Sequence, residues 1–551
     1  MLWYREISRV IGFYLYFLAA TLTIPTSIAL YYEFYADPSS HPQPHSSLAF
    51  LLTIFISLAI ASIFHRLSKG ARGVYYKREA LALVASIWFI SGLIGALPFY
   101  LSGTFESFTD SYFEAISGLT TTGATVMQAK EFDLLTGEEI PIFKVFSELY
   151  QVAYTYYGTI SPVKDLATGE VLYTGVEAVS KALLFWRSFM QWLGGMGIIV
   201  LFVAVLPVLG VGGKSLFEAE VPGPTKDVLA PRIKETASYL WRIYLGFSLL
   251  EVFLLMSTNM DMPLFDAVTI TFSNLSTGGF SIRNSSIASY QNSNTEWVVI
   301  LFMLIGSINF ALYFQCLRGK IYRIFEPEFL TYFAIIFITC YIAILSLSGT
   351  PEFPLIAGTE NNTTYSFMDS IRFSCFQCIS AQTSTGFATA NYDKWPFVNQ
   401  ILLLLVMYIG SMAGSTGGGI KIIRHIMAFR IVQNKVESIF RPQTIRKVRV
   451  GNKEVNIDAA LTVLSFYLIV ICLSAISTLL YAFDGIDLET ALTTTACMIN
   501  NIGIAFRAGG PSESFAFLTS TGKILSTLWM VLGRLEFFAI LVVLVPAFWK
   551  K

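Results

Sequence analysis

One constraint recurs along this chain: apolar stretches of about 20 residues, each long enough to cross a bilayer as a helix. They run at 10–32, 48–64, 80–101, 182–206, 239–257, 297–317, 328–347, 398–413, 459–482 and 524–548. In lipid no water can satisfy a backbone N–H or C=O, so such segments fold as helices. The expectation is an all-α polytopic membrane protein with about ten transmembrane helices. Composition agrees, since 54% of the 551 residues are hydrophobic and 13% charged, about half the charged share of a soluble domain. The first stretch, Val10–Tyr32, follows Arg5 and Arg9 and has no small-residue cleavage site. It reads as a span and not as a cleavable signal peptide.

Charge sets the expected orientation. The loop Glu33–Ser47 holds Glu33 and Asp37 and no Lys or Arg. Alternate connections are basic: Arg66, Lys69, Arg72, Lys77 and Arg78; Lys214, Lys226, Arg232 and Lys234; Arg318, Lys320 and Arg323; Lys421 through Lys453; and the terminal Lys550-Lys551. All fall on one side if both termini are cytoplasmic, as the positive-inside rule asks. A multi-pass protein of the cytoplasmic (inner) membrane, in contact with membrane lipid, is expected. The opposite side is acidic, above all the long loop 127–180 with Glu131, Asp133, Glu138, Glu139, Glu148, Asp165, Glu170 and Glu177. It reads either as a vestibule that concentrates cations or as ordinary solvated surface. Basic and acidic residues balance at 37 each, so no global field points to nucleic acid.

Four shorter segments sit between paired spans: FTDSYFEAISGLTTTGATV, LFDAVTITFSNLSTGGFS, FMDSIRFSCFQCISAQTSTGFAT and GIDLETALTTTACMINNIGIAF. Each begins near an Asp (Asp110, Asp266, Asp369, Asp487), continues half-apolar and too short to span, and ends in a polar turn with a glycine (Gly123, Gly278, Gly386, Gly503). The pattern predicts four repeats of span, half-helix, loop, span. Asp is expected to cap each half-helix. Each half-helix then turns the negative end of its dipole toward mid-membrane. Irregular backbone at that depth must line a cavity or lie buried in protein, and carbonyl oxygens there can replace an ion's water shell. Neutral Thr, Ser and Asn add no fixed charge that would trap the ion.

On these four loops, and on WRSFMQWLGGMGIIVL (Trp186 to Leu201), LPVLGVGG (Leu206 to Gly213), GSMAGSTGGGIKIIR (Gly410 to Arg424) and LGRLEFF (Leu532 to Phe538), the chain resembles the pore subunit of the Trk family of potassium transporters. That family shares a superfamily with the Ktr and plant HKT proteins, and the two extra N-terminal spans point to Trk. The resemblance covers nearly the whole chain, apart from the loop 127–180, which is longer than is usual in the family. It implies four pseudo-symmetric units around one central pore: 80–213 with the insert 127–180, 214–326, 327–456 and 457–551, after a two-helix extension 1–79. It implies filter residues Thr121-Thr122-Gly123, Ser276-Thr277-Gly278, Ser384-Thr385-Gly386 and Asn501-Ile502-Gly503, the fourth departing from S/T-x-G. Transported K+, a homodimer and a cytosolic nucleotide-binding regulatory ring of the TrkA type are further implications. Either a channel-like uptake subunit or a symporter coupled to H+ or Na+ fits the superfamily.

The strip Gly410–Lys421 is too glycine-rich to hold a helix and predicts a break at membrane depth. A movable gate and a small-residue packing surface are the alternatives. In the family this strip is the intramembrane gating loop, here Ala413, Gly414, Ser415, Thr416, Gly417, Gly418 and Gly419. Arg534 lies inside the last apolar span, where a charge is costly and marks function by default. The resemblance places it facing the pore below the filter, whereas a structural pair with Glu536 is the other reading. Cys375 and Cys378 form a lone C-x-x-C without βαβ context and read best as small helix residues, not as a zinc or redox pair. GVGGKS (Gly210 to Ser215) lacks the first P-loop glycine, with Val208 in its place, and no strand precedes it. Asn361 and Asn362 are weak sequon matches. No His/Asp/Glu cluster appears in the spans, and His41, His45, His65 and His425 lie in or beside loops, which argues against an enzyme.

Overall fold

The structure, a computed structural model, describes residues 3–37, 42–43, 45–71, 77–133, 135–147, 152–165, 168–197, 233–355, 364–441, 448–450, 453–455 and 457–549. The segments LPVLGVGG and GVGGKS, the basic residues Lys214, Lys226 and Arg232, Glu148 and the two sequons lie outside the described residues.

Two helices, α1 (Trp3–Phe34) and α2 (Ser47–Leu67), form an antiparallel N-terminal pair. Gly12 lets the pair close: a Cβ there would lie 3.3 Å from the Ala61 carbonyl oxygen. Glu33 does more than add charge to its loop. Its Oε1 accepts from the backbone N–H groups of Ser46 and Ser47 at 2.7 and 2.9 Å, satisfying donors that the start of α2 leaves free.

The first unit follows as α3 (Lys77–Leu101) and the half-helix α4 (Phe108–Leu119). The insert 127–180 then folds as antiparallel hairpins, β1 (Glu131–Phe132) with β2 (Glu139–Ile140), β3 (Ile142–Ser147) with β4 (Val152–Tyr156), and β5 (Val163–Lys164) with β6 (Val171–Tyr173). The unit resumes with α5 (Lys181–Trp192), which passes into a π-turn at Leu193–Gly197. The second unit comprises α6 (Ile233–Thr258), the half-helix α7 (Leu264–Leu275), α8 (Ser293–Ser307) and α9 (Phe310–Leu317). The third comprises α10 (Pro327–Leu347), the half-helix α11 (Phe367–Gln382), α12 (Phe397–Ile409) and α13 (Ile422–Phe440), with a small hairpin β7 (Val448–Val450) and β8 (Lys453–Val455). The fourth comprises α14 (Ile457–Phe483), the half-helix α15 (Leu488–Asn500), α16 (Ser520–Arg534), α17 (Phe538–Leu544) and α18 (Pro546–Trp549).

Among the described residues, six helices are long and apolar enough to cross a membrane unbroken, in α1, α2, α3, α6, α10 and α14. Three of the remaining expected spans are interrupted, and the fourth, 182–206, passes out of the described residues after Gly197. Helices α8 and α9 meet at 91°, where Asn309 caps α9 through its Oδ1 and the Ala311 N–H. Helix α12 stops at Gly410, which has φ +69°. Helix α16 stops at a turn in which Glu536 and Phe537 take left-handed φ of 55° and 60°. Only the break at Gly410–Lys421 is foreseen by composition. The others use residues that carry no obvious helix-breaking mark.

Asp caps one half-helix and not four. Asp487 is the N-cap of α15, accepting from Thr490 N–H. Asp110, Asp266 and Asp369 sit one turn in, after the N-caps Ser107, Pro263 and Ser366. There their charge still favours the helix start, and each takes a cationic partner: Lys523 at 2.6 Å, Arg283 at 3.0 Å and Arg372 at 3.2 Å respectively. Cys375 and Cys378 lie one turn apart on α11, with Cys378 buried in the apolar core.

Candidate functional site

The four half-helices deliver four loops of one backbone shape. Each half-helix is followed within two residues by a non-glycine in the left-handed region: Thr121 (φ 52°), Thr277 (54°), Ser384 (57°) and Asn501 (54°). Two residues on comes a glycine with φ between 74° and 87°: Gly123, Gly279, Gly386 and Gly503. The second loop is therefore one residue out of step with its sequence pattern, and Gly279 matches Gly123 where Gly278 was expected. Asn501 takes the same conformation as its counterparts, since Asn tolerates left-handed backbone well, so the fourth loop departs in sequence and not in shape.

The loops close on one another. A Cβ on Gly123 would lie 1.9 Å from the Gly278 oxygen, on Gly279 1.8 Å from the Thr385 oxygen, on Gly386 2.0 Å from the Ile502 oxygen, and on Gly503 2.3 Å from the Thr122 oxygen. Each glycine thus abuts the carbonyl that precedes the next glycine, and the fourth returns to the first. All twelve loop residues expected to form the filter are found here, with Thr121, Thr122, Ser276, Thr277, Thr385, Asn501 and Ile502 fully buried.

The loops are held from behind by repeated bonds. Thr122 N–H donates to Ser117 O, Gly278 N–H to Ser273 O, Thr385 N–H to Ser380 O and Ile502 N–H to Cys497 O, at 2.7–3.1 Å. Side-chain partners that the sequence pattern did not single out complete the cage. Gln191 donates to the Gly278 carbonyl at 2.7 Å and accepts from Phe280 N–H at 3.2 Å. Glu114 and Arg187 form a fully buried ion pair at 2.7 Å. Glu114 accepts from Val126 N–H beyond the first loop, and Arg187 donates to the Ser281 carbonyl beyond the second. Breaking such a pair leaves a bare buried charge, which costs about 3–5 kcal/mol. Arg187→Met is expected to lower the thermal midpoint of the purified protein well below that of an Asp110→Asn control, a comparison that differential scanning fluorimetry can read.

The glycine-rich strip lies directly beneath the ring. Gly418 N–H donates to Ser384 Oγ at 2.6 Å. Thr416 Oγ1 reaches the Leu275 and Gly306 carbonyls at 3.0 and 2.9 Å. Arg534 donates to the Thr416 carbonyl at 2.8 Å and to the Gly194 carbonyl, in the π-turn of the first unit, at 2.7 Å. Glu536 pairs with Arg424. Lys421, 5% exposed, donates to the Gly417 carbonyl from the strip's far end. Gly194, Gly306 and Gly533 also emerge as needed: a Cβ on each would lie 1.9, 2.7 and 2.1 Å from the carbonyls of Leu119, Leu275 and Ile499, at the ends of three half-helices.

The insert is tied to the fourth unit. Lys144 on β3 pairs with Glu513 at 2.6 Å, and the Tyr154 hydroxyl on β4 donates to Asp487 at 2.5 Å. Burial opposes ionisation of Asp487, but hydrogen bonds from Thr490, Tyr154 and the Glu489 backbone outweigh it and hold its carboxyl below the ordinary value. Of the insert's own acids, Glu139 pairs with Lys130 at 2.9 Å.

The family model described as "TrkH: Cation transport protein" matches residues 150–551. The chain belongs to the TrkH family. It is 30% identical over 552 residues to the Trk system potassium uptake protein TrkH of Escherichia coli strain K12, covering 100% of both. It is 31% identical to the protein of that name from Halomonas elongata, covering 99% of both. The crystal structure of the potassium transporter TrkH from Vibrio parahaemolyticus superposes with a TM-score of 0.76 at 27% identity, over 99% of each chain. TrkH-family proteins are transporters and not enzymes, and this chain is a membrane-embedded, multi-pass, mostly helical member.

Proposed function

We propose that this chain takes up potassium across the cytoplasmic membrane through the ring of four loops, with both termini on the cytoplasmic side. The observation that carries the reading is the closure of the ring, in which the carbonyls of Thr122, Gly278, Thr385 and Ile502 each meet the preceding loop's glycine. Rings of backbone carbonyls substitute for an ion's hydration shell, and the relatives named above are potassium uptake proteins. Four pore units, 80–213, 214–326, 327–456 and 457–551, surround the ring after the N-terminal extension 1–79. The strip Ala413–Gly419 acts with Arg534 as the gate. A homodimer and a cytosolic nucleotide-binding ring of the TrkA type complete the assembly, supported by the basic inner segment through α13 and the β7–β8 hairpin.

Purified protein in liposomes tests the core of this reading. Potassium is expected to move down its gradient at least about tenfold faster than sodium, a difference of about 1.4 kcal/mol between the ions in the ring. Equal fluxes of the two ions would reject the filter.

A further inference from the structure

Of the four loops, the second is the hardest to hold still. It carries adjacent glycines, Gly278-Gly279, where the others carry Thr122-Gly123, Thr385-Gly386 and Ile502-Gly503. Glycine leaves more backbone conformations open than any other residue, so the Gly278 carbonyl is the ring oxygen least restrained by its own residue. Two buried side chains meet this loop. Gln191 holds its tip through the Gly278 carbonyl and the Phe280 N–H. Asn274 holds its base: in the last turn of α7, its Nδ2 donates to Glu251 Oε1 on α6 at 2.6 Å and to the Val299 carbonyl on α8 at 3.0 Å. One amide thereby joins the half-helix to both flanking helices of the unit. Three residues before the left-handed position, the other loops have Gly118, Ala381 and Met498, none of which can make this link.

Glu251 sits within a membrane-crossing helix and is 0% exposed, as is Asn274. Among the described residues its Oε2 has no hydrogen-bond partner and no Lys or Arg pairs with it. An ionisable side chain inside a span is costly and marks function by default. Without a counter-ion among the described residues, the part it plays here is that of hydrogen-bond acceptor for Asn274, which an amide would reproduce.

We propose that Glu251 is a positioning residue for ion selection: through Asn274 it anchors the second loop, and together with Gln191 it holds the Gly278 carbonyl at the spacing that potassium requires. The proposal rests on the reading of the ring as a potassium filter. A second loop without this strut is free to close around the smaller sodium ion.

The test is the ratio of potassium to sodium flux in liposomes, normalised to folded protein by size-exclusion elution. Asn274→Ala and Glu251→Leu should each lower the ratio by about tenfold, the worth of one buried hydrogen bond at the upper end of its range. Glu251→Gln keeps the acceptor and should stay within about twofold of wild type. A merely structural role would reduce the amount of folded protein and leave the ratio of what remains unchanged. Should Asn274→Ala fail to fold, Asn274→Ser, too short to reach Glu251, takes its place with the same expectation. A selective wild type with an unchanged ratio in Glu251→Leu and in the Asn274 variant would overturn the strut. A ratio in Glu251→Gln as low as in Glu251→Leu would show that the carboxyl acts as a charge, and would overturn it also. A wild type without preference would instead overturn the filter reading on which the strut depends.

Discussion

Deleting Ala413–Gly418, or replacing Arg534 by Ala, is expected to raise potassium flux about tenfold or more while leaving the potassium-to-sodium ratio near wild type. A unit charge about 4 Å from a passing cation costs about 1 kcal/mol in water and about 4 kcal/mol at an effective dielectric near 20. Arg534 holds its charge at the strip, through the Thr416 carbonyl, and under the first half-helix, through the Gly194 carbonyl. The strip contributes no carbonyl to the ring above it, which is why selectivity should survive. The two changes should not add, because Arg534 reaches the strip through Thr416 and removing either frees the same contact. Tracer uptake into liposomes, compared with and without a co-purified nucleotide-binding ring, reads both flux and its dependence on the partner. Wild-type flux from both folded variants would reduce the strip to a packing surface.

The second large effect belongs to the ring glycines. Gly123→Ser and Gly279→Ala should each lower the potassium-to-sodium ratio by about tenfold or more. Both positions have positive φ, and both would place a Cβ less than 2 Å from a neighbouring loop's carbonyl oxygen. A residue forced into such backbone costs about 1–3 kcal/mol before the clash is counted, and the atom it meets is backbone that cannot swing aside. Gly278→Ala is the informative contrast. Its φ lies outside the left-handed region, and its Cβ would meet the end of the Gln191 side chain at 2.4 Å, which can shift. A milder loss at Gly278 than at Gly279 is the expected order. The reverse order would restore the register suggested by the S-T-G pattern.

Much of this protein is written in its sequence because lipid leaves few choices. Ten apolar segments and four interrupted repeats follow from the need to satisfy every backbone group away from water, and the alternation of basic and acidic connections follows from the bias of Lys and Arg to one side. The second loop shows where that reading stops. Ser276-Thr277-Gly278 and Thr277-Gly278-Gly279 both satisfy the pattern, and only the left-handed φ of Thr277 and Gly279 chooses between them. Local sequence specifies that a turn occurs, but closure against the first and third loops decides which glycine must bear it. The caps show the same limit. An Asp near each half-helix start was legible, yet Ser107 and Ser366 took the capping position and freed Asp110 and Asp369 for Lys523 and Arg372. Asp110 and Lys523 stand 413 residues apart. Nothing local could announce their pairing, nor that of Glu114 with Arg187, nor the breaks that bring Arg534 to Gly194. Helices follow from the periodicity and burial of their own residues, whereas the ring, its buried charges and the strip beneath it exist only where distant segments meet. Tertiary packing decides them, because a buried polar group is stable only with its partner in place.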